Sequence, residues 1–238
     1  MKSPQHIASV FDRDLEAIQA LIRKMGGLVE QAILDSTTAL TERDLELADT
    51  VRSRDKAIDA LEEQINEEAA RIIALRAPMG ADLRVALSVI KIAGALERVG
   101  DYAKNLAKRT TVLAEQSPIN GTNKSIKRMS REVQIMLNDV LNAYIQRDVA
   151  LAEDVRSRDH DVDQMYNSLF RVFLTHMMED PRNITACMHL HFISKNIERM
   201  GDHVTNIAEQ VIYLTTGDMP GDARPKGDKT STDLNKDG

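Results

Sequence analysis

Apolar residues recur every three or four positions along most of the chain. That period marks helices that each bury one stripe. Residues 16–40 and 124–146 carry the pattern without a proline, and each reads as a first helix. Ile58, Leu61, Ile65, Ala69 and Ile72 continue it on a second helix that opens near Asp44 and must end before Pro78. A counterpart opens near Asp148 and ends before Pro181. Both aspartates suit an N-cap, where a carboxylate accepts from free backbone N–H groups. Asp180-Pro181 reads as a cap followed by proline in the first turn. Third helices are predicted over about 82–114 and 183–215. No alternating strand pattern is present. Residues 116–123, QSPINGTN, form a linker. After Gly217 the chain is polar and without period, which predicts a disordered tail.

The two sets of three helices are copies. Residues 43–59, RDLELADTVRSRDKAID, match residues 147–163, RDVALAEDVRSRDHDVD, at ten of seventeen positions. Residues 97–105, ERVGDYAKN, match residues 198–206, ERMGDHVTN, at five of nine. The offset is 104 in the first pair and 101 in the second, so the second copy is about three residues shorter between them. Repetition on this scale predicts an all-α fold of two pseudo-symmetric three-helix bundles, six long helices in all. The expected divisions are residues 1–118, residues 119–216 and the tail 217–238.

Composition narrows the class. Apolar residues make up 42% of 238, enough for a core, while aromatics are 3% and tryptophan is absent. An aliphatic, charge-rich chain favours helices. A net charge of −6 argues against a nucleic-acid footprint and against attraction to an anionic membrane surface. One cysteine, Cys187, excludes an internal disulfide and suits a reducing compartment. The N-terminus has no apolar signal region, and no apolar run approaches the roughly 20 residues of a spanning helix. The expectation is a soluble cytoplasmic protein with no membrane insertion.

The candidate chemistry is acidic. Glu97 and Asp101 are four apart and share a helix face. Stepping back from Glu97 meets Ala93, Ile90, Ala86 and Leu83, so the acids extend a core-facing stripe. From Glu198 the same steps meet Ser194, His191, Cys187 and Ile184, with Asp202 one turn later. Asp55, Asp59 and Glu62 form a stripe on the second helix, read as lying beside the apolar one, and Asp159 and Asp163 repeat its first two members. Inward carboxylates need protonation, a basic partner or a cation. Arg98 and Arg199 point about 100° from their own glutamates and make poor partners. If helices two and three pack together, the carboxylates converge into an oxygen-rich set. Such a set suits hard divalent cations such as Mg²⁺, Mn²⁺ or Ca²⁺, and also iron or zinc. A buried arginine-bridged network is the competing reading. Gly100 and Gly201, each immediately before the aspartate, predict a close helix neighbour. His191 and Cys187 read as core, His203 as surface, and Met177, Met178 and Met200 as core filling.

The duplicated E-R-[VM]-G-D…N phrase, the duplicated D-x-x-x-D and the stretch THMMEDPRNI resemble the PhoU family of phosphate-signalling regulators, over roughly residues 10–216. The resemblance implies two three-helix bundles that bind metal through Asp55, Asp59, Glu97 and Asp101 in the first and Asp159, Asp163, Glu198 and Asp202 in the second. It implies no catalysis. The implied role is a negative regulator of the phosphate-starvation response that connects a phosphate ABC transporter ATPase with a membrane sensor histidine kinase. A homodimer is expected. Glu62 has Tyr166 as its equivalent, so the two sites are expected to differ. Two other classes remain open: a metal-free helical adaptor, and a di-iron carboxylate enzyme. The latter lacks its usual E-x-x-H pair here.

Overall fold

A computed structural model describes the backbone of residues 4–221 and the side chains from Arg13 onward. Six α-helices follow one another: α1 (Pro4–Glu42), α2 (Leu45–Arg76), α3 (Ala81–Ala114), α4 (Thr122–Gln146), α5 (Val149–Glu179) and α6 (Ile184–Thr216). A 3₁₀ turn, Pro181–Asn183, precedes α6. There is no strand among the described residues. The expected tail lies, beyond Gly221, outside those residues.

Local signals set most boundaries. Asp44 accepts from the Leu47 N–H at 2.9 Å, and Asp148 accepts from Leu151 at 3.0 Å. α2 ends at Ala77, whose left-handed φ of 44° turns the chain ahead of Pro78. Asp180 caps Arg182 at 3.0 Å, but the turn it opens is 3₁₀, and α6 proper starts three residues later. α1 begins at Pro4 rather than near residue 16. Proline is tolerated in a first turn, where its missing N–H has no partner to lose.

Each half packs its own three helices together. Across the halves α3 lies on α6 and α1 on α4, and one apolar core runs through all six. Ile22, Met25, Val29 and Ile33 of α1 are fully buried at helical spacing. Truncating such an isoleucine to alanine costs about 3 kcal/mol. Met200 is buried and Met177 packs partly buried against the core, but Met178 is 85% exposed, because it stands one residue, about 100°, off the stripe that Phe173 and Met177 continue.

α3 and α6 run antiparallel. Arg109 meets His189 near one end, Tyr102 and His203 rings lie 5.7 Å apart near the middle, and Arg84 lies beside Gly217 at the other end. This pairing brings the two copies of the acidic phrase to one crossing.

Candidate metal centres

In α2 the buried positions run Val51, Asp55, Ile58, Leu61. Asp55 therefore stands within the apolar stripe, not beside it, because it follows Val51 by four and precedes Ile58 by three. In α5 Asp159 follows Val155 in the same register, and Asp163 is buried as well. The two halves then diverge. Asp159, Asp163 and Glu198 are 3%, 4% and 5% exposed. In the first half only Asp55, at 4%, is comparably buried among the four candidates. Glu97 and Asp101 are half-buried and Asp59 is exposed.

The first half answers its charge with a lysine. Lys104 Nζ is paired closely with Asp55 and lies 3.4 Å from Asp101, so one ammonium bridges α2 and α3. The hydrogen bond to Asp55 raises the Lys104 value, so it stays charged. Arg98 folds back over the rim, 3.5 Å from Glu97 and 3.8 Å from Asp101. This corrects the expectation that it points away: the long side chain reaches across the 100° step. Burial, then the neighbouring Asp101, raises Glu97 above the usual carboxylate range. Burial and then Asp55 raise Asp59. Glu62 accepts from Asn66 at 2.7 Å instead of joining the set.

The second half has no such bridge at the equivalent place. Thr205 stands there, its hydroxyl 3.4 Å from Asp159 Oδ1 and 3.0 Å from the Gly201 carbonyl. Lys195, one turn before Glu198, donates to Glu198 Oε1 at 2.8 Å and sits 4.9 Å from the centre of the Tyr166 ring. Glu198 Oε2 is buried without a hydrogen-bond partner. Burial is the main reason the Glu198 carboxyl is pushed up to about 7; Lys195 opposes it, while Asp202 and Asp163 add to it.

The glycines let the acid-bearing helices close in. A Cβ on Gly100 would stand 3.0 Å from Ile58, and one on Gly201 would stand 3.2 Å from the Asp159 carboxylate. Asn105 is half-buried and Asn206 exposed. His191 lies among the rings of Phe170, Phe192 and Tyr166, at 5.3, 5.7 and 5.9 Å. Cys187 is buried. His203 is half-buried against Tyr102, not on the surface, because the α3–α6 packing covers it. Arg199 crosses the same interface to hydrogen-bond with Tyr102.

As the side chains stand, no three His, Cys, Asp or Glu groups among the described residues close on a common point. The donor sets nonetheless differ in their fit to a cation. Asp159, Asp163 and Glu198 offer buried oxygen donors, with Asp202 at the edge and an unsatisfied Oε2, which is the chemistry a hard divalent ion neutralises. Each set also holds an ammonium, Lys104 on Asp55 in the first and Lys195 on Glu198 in the second. Lys104, Lys195 and Thr205 were missed in the sequence reading. The signal of the two lysines was a basic residue three positions after Asp101 and three before Glu198, on the acid-bearing face.

The PhoU domain matches twice, over residues 22–110 and 126–211. A "Phosphate-specific transport system accessory protein PhoU homolog" of Rhizobium meliloti (strain 1021) is 47% identical over 230 residues, which is 97% of each chain. One of the same description from Caulobacter vibrioides is 44% identical over 95% of this chain and 99% of that one. Among solved structures, PhoU from Pseudomonas aeruginosa superposes with a TM-score of 0.84 at 38% identity, covering 87% of this chain and all of that one. The phosphate transport system regulatory protein PhoU from Streptococcus pneumoniae gives 0.82 at 28% identity, covering 89% and 99%.

Proposed function

The chain belongs to the PhoU family, and from that premise we propose that it is a cytoplasmic, non-catalytic negative regulator of the phosphate-starvation response. In this reading it links the ATPase of a phosphate-specific ABC transporter to a sensor histidine kinase and holds the kinase silent when phosphate is plentiful. The observation that carries the proposal is the paired match to the family over both halves, with relatives named as accessory proteins of phosphate-specific transport. The physical features agree with a binding role. No helix among the described residues is long and apolar enough to cross a membrane, so contact with membrane partners runs through protein surfaces. A helical bundle offers ridges and grooves for that contact. A homodimer is part of the same reading.

The acidic sets serve as shape-holding sites. In the second half, Asp159, Asp163, Glu198 and Asp202 would hold a divalent cation such as Mg²⁺, Mn²⁺, iron or zinc. The ion would supply positive charge that stabilises α5 against α6. In the first half Asp55, Asp59, Glu97 and Asp101 play the matching part. Asp55 and Asp159 tie their helices to the core, and the glycines keep the helix pairs close.

Deletion of the gene tests the regulatory role. Alkaline phosphatase from a phosphate-starvation promoter should be high in phosphate-rich medium, and the wild-type chain should silence it. The transporter ATPase and the kinase should co-purify with the chain. A reporter that stays low in the deletion strain, with neither partner retained, would overturn the proposal.

A further inference from the structure

The outer face of α4 carries charge that the fold does not use. None of its exposed residues is acidic, in a chain of net charge −6. Lys124, Lys127, Arg128 and Arg131 are all exposed and fall within roughly 100° of arc around the helix axis. None of the four has an ion pair or a side-chain hydrogen bond among the described residues. The two acids of α4, Glu132 and Asp139, turn aside to Arg158 of α5. Asp161 of α5 shares a surface depression with Arg128 without pairing with it. Beside these cations lies a groove of about 630 Å³ between α1 and α4. Leu34 and Ile135, 46% and 41% exposed, stand open in its wall. α1 and α4 run antiparallel, since Asn123 reaches the Thr41 carbonyl and Leu141 lies against Gly26. Lys127 and Arg131 therefore line one end of the groove, and Glu30 and Asp139 the other. The first half does not repeat this face. At the offset of 104 its residues are Ala20, Arg23, Lys24, Gly27 and, for Ile135, Gln31. The buried positions do repeat: Ile22, Met25 and Val29 match Ile126, Met129 and Val133. The same bundle is thus built without these charges.

We infer that the α1–α4 groove docks an acidic amphipathic helix of a protein partner, with its acids on Lys124, Lys127, Arg128 and Arg131 and its apolar residues on Leu34 and Ile135. The inference rests on the regulatory reading above and names the surface through which it acts. Charge selects the partner. Lys124 with Arg128 and Lys127 with Arg131 are like-charge pairs four apart, which weaken a helix until an anion answers them. Shape selects a helix, because a furrow between two antiparallel helices accepts a third along it. An anionic membrane fits less well: the apolar residues line a concave surface, and no aromatic stands among them to enter a bilayer.

The test uses the full chain and a fluorescein-labelled helical peptide of glutamate, alanine and leucine, with leucines at every third or fourth position. A peptide with lysine in place of glutamate is the control, and fluorescence anisotropy reads binding. Wild type should bind the acidic peptide at least about tenfold more tightly than the control, and added salt should weaken it. Lys127→Glu with Arg131→Glu should lower the affinity at least about tenfold. Leu34→Ser with Ile135→Ser should lower it too, with the salt dependence kept. In the deletion strain the wild-type chain should silence the phosphatase reporter, and the charge-reversed chain, present at the same level, should not. Lys127→Gln with Arg131→Gln, which removes charge and adds none, should fail in the same way and guards against a folding defect. A charge-reversed chain that binds the peptide as wild type does, or silences the reporter as well, would overturn the inference and leave the regulatory reading intact. So would binding to phosphatidylglycerol vesicles in place of the peptide, or a wild-type dimer that charge reversal splits in sedimentation. A wild-type chain that fails to silence the reporter would overturn the regulatory reading and the inference with it.

Discussion

Asp55, Asp101 and Lys104 in the first half occupy the places of Asp159, Asp202 and Thr205 in the second. The backbones repeat, and so do the caps, at Asp44 and Asp148. The electrostatics do not repeat. The first half spreads its acids from core to solvent and bridges them with a lysine. The second buries three of them and leaves one carboxylate oxygen unsatisfied. A helix repeat preserves where carboxylates stand, while the charge that answers them depends on single residues one turn away.

Removing the bridging charge should have the largest effect. Without metal, Lys104→Thr leaves Asp55 buried and uncompensated. Breaking a buried pair costs about 3–5 kcal/mol; since Lys104 is partly exposed, a loss of about 3 kcal/mol is expected. Denaturant unfolding measures it, and Asp55→Asn in the same chain should restore most of the loss. The converse change, Thr205→Lys, should weaken manganese binding by the second half. If Lys104→Thr costs nothing, the lysine is not what neutralises the first half.

Glu198 gives the next effect, of opposite sign. Its folded-state value of about 7 lies above its ordinary 4.5, so the folded chain holds this proton more tightly than the unfolded chain. The stability from that proton is fully present below about pH 4.5 and is lost as pH rises through 7. In metal-free protein Glu198→Gln should therefore stabilise the fold at pH 8, by about 2 kcal/mol, and by much less at pH 5. Equal effects at both pH values would show that Glu198 is already ionised in the core at pH 5.

The glycines give the smallest contrast. Gly201→Ala would press on the Asp159 carboxylate and should cost about 1 kcal/mol despite its better helix propensity. Gly100→Ala presses on the flexible end of Ile58, beside a cavity of about 110 Å³ that both residues line, and should be close to neutral. Thermal unfolding of the two variants compares them. Equal costs would mean that the approach of the helices, not the carboxylate, sets the requirement for glycine.

The sequence reading anticipated the architecture because its signals are local. Helical spacing, Asp44, Asp148, Pro78 and the linker each act within one or two turns. The burial of Asp55 was legible too, in its spacing from Val51 and Ile58, but the acid pattern was read as a separate stripe. The lysines were harder. Lys104 matters because it reaches another helix, and which residues of α2 it meets depends on the rotation of α2 against α3. His203 was misplaced for a similar reason: nothing within α6 reveals that α3 runs antiparallel over it. Met178 stands one position off the stripe that Phe173 and Met177 continue, so it turns to solvent although its neighbour packs on the core.

The most direct test of the metal reading is a crystal structure of the full chain grown with Mn²⁺, with data collected to locate manganese by anomalous scattering. Peaks are expected beside Asp159, Asp163, Glu198 and Asp202, and beside Asp55, Asp59, Glu97 and Asp101 with Lys104 displaced from Asp55. No peak in either half, with Lys104 still seated on Asp55 and Lys195 on Glu198, would contradict the account.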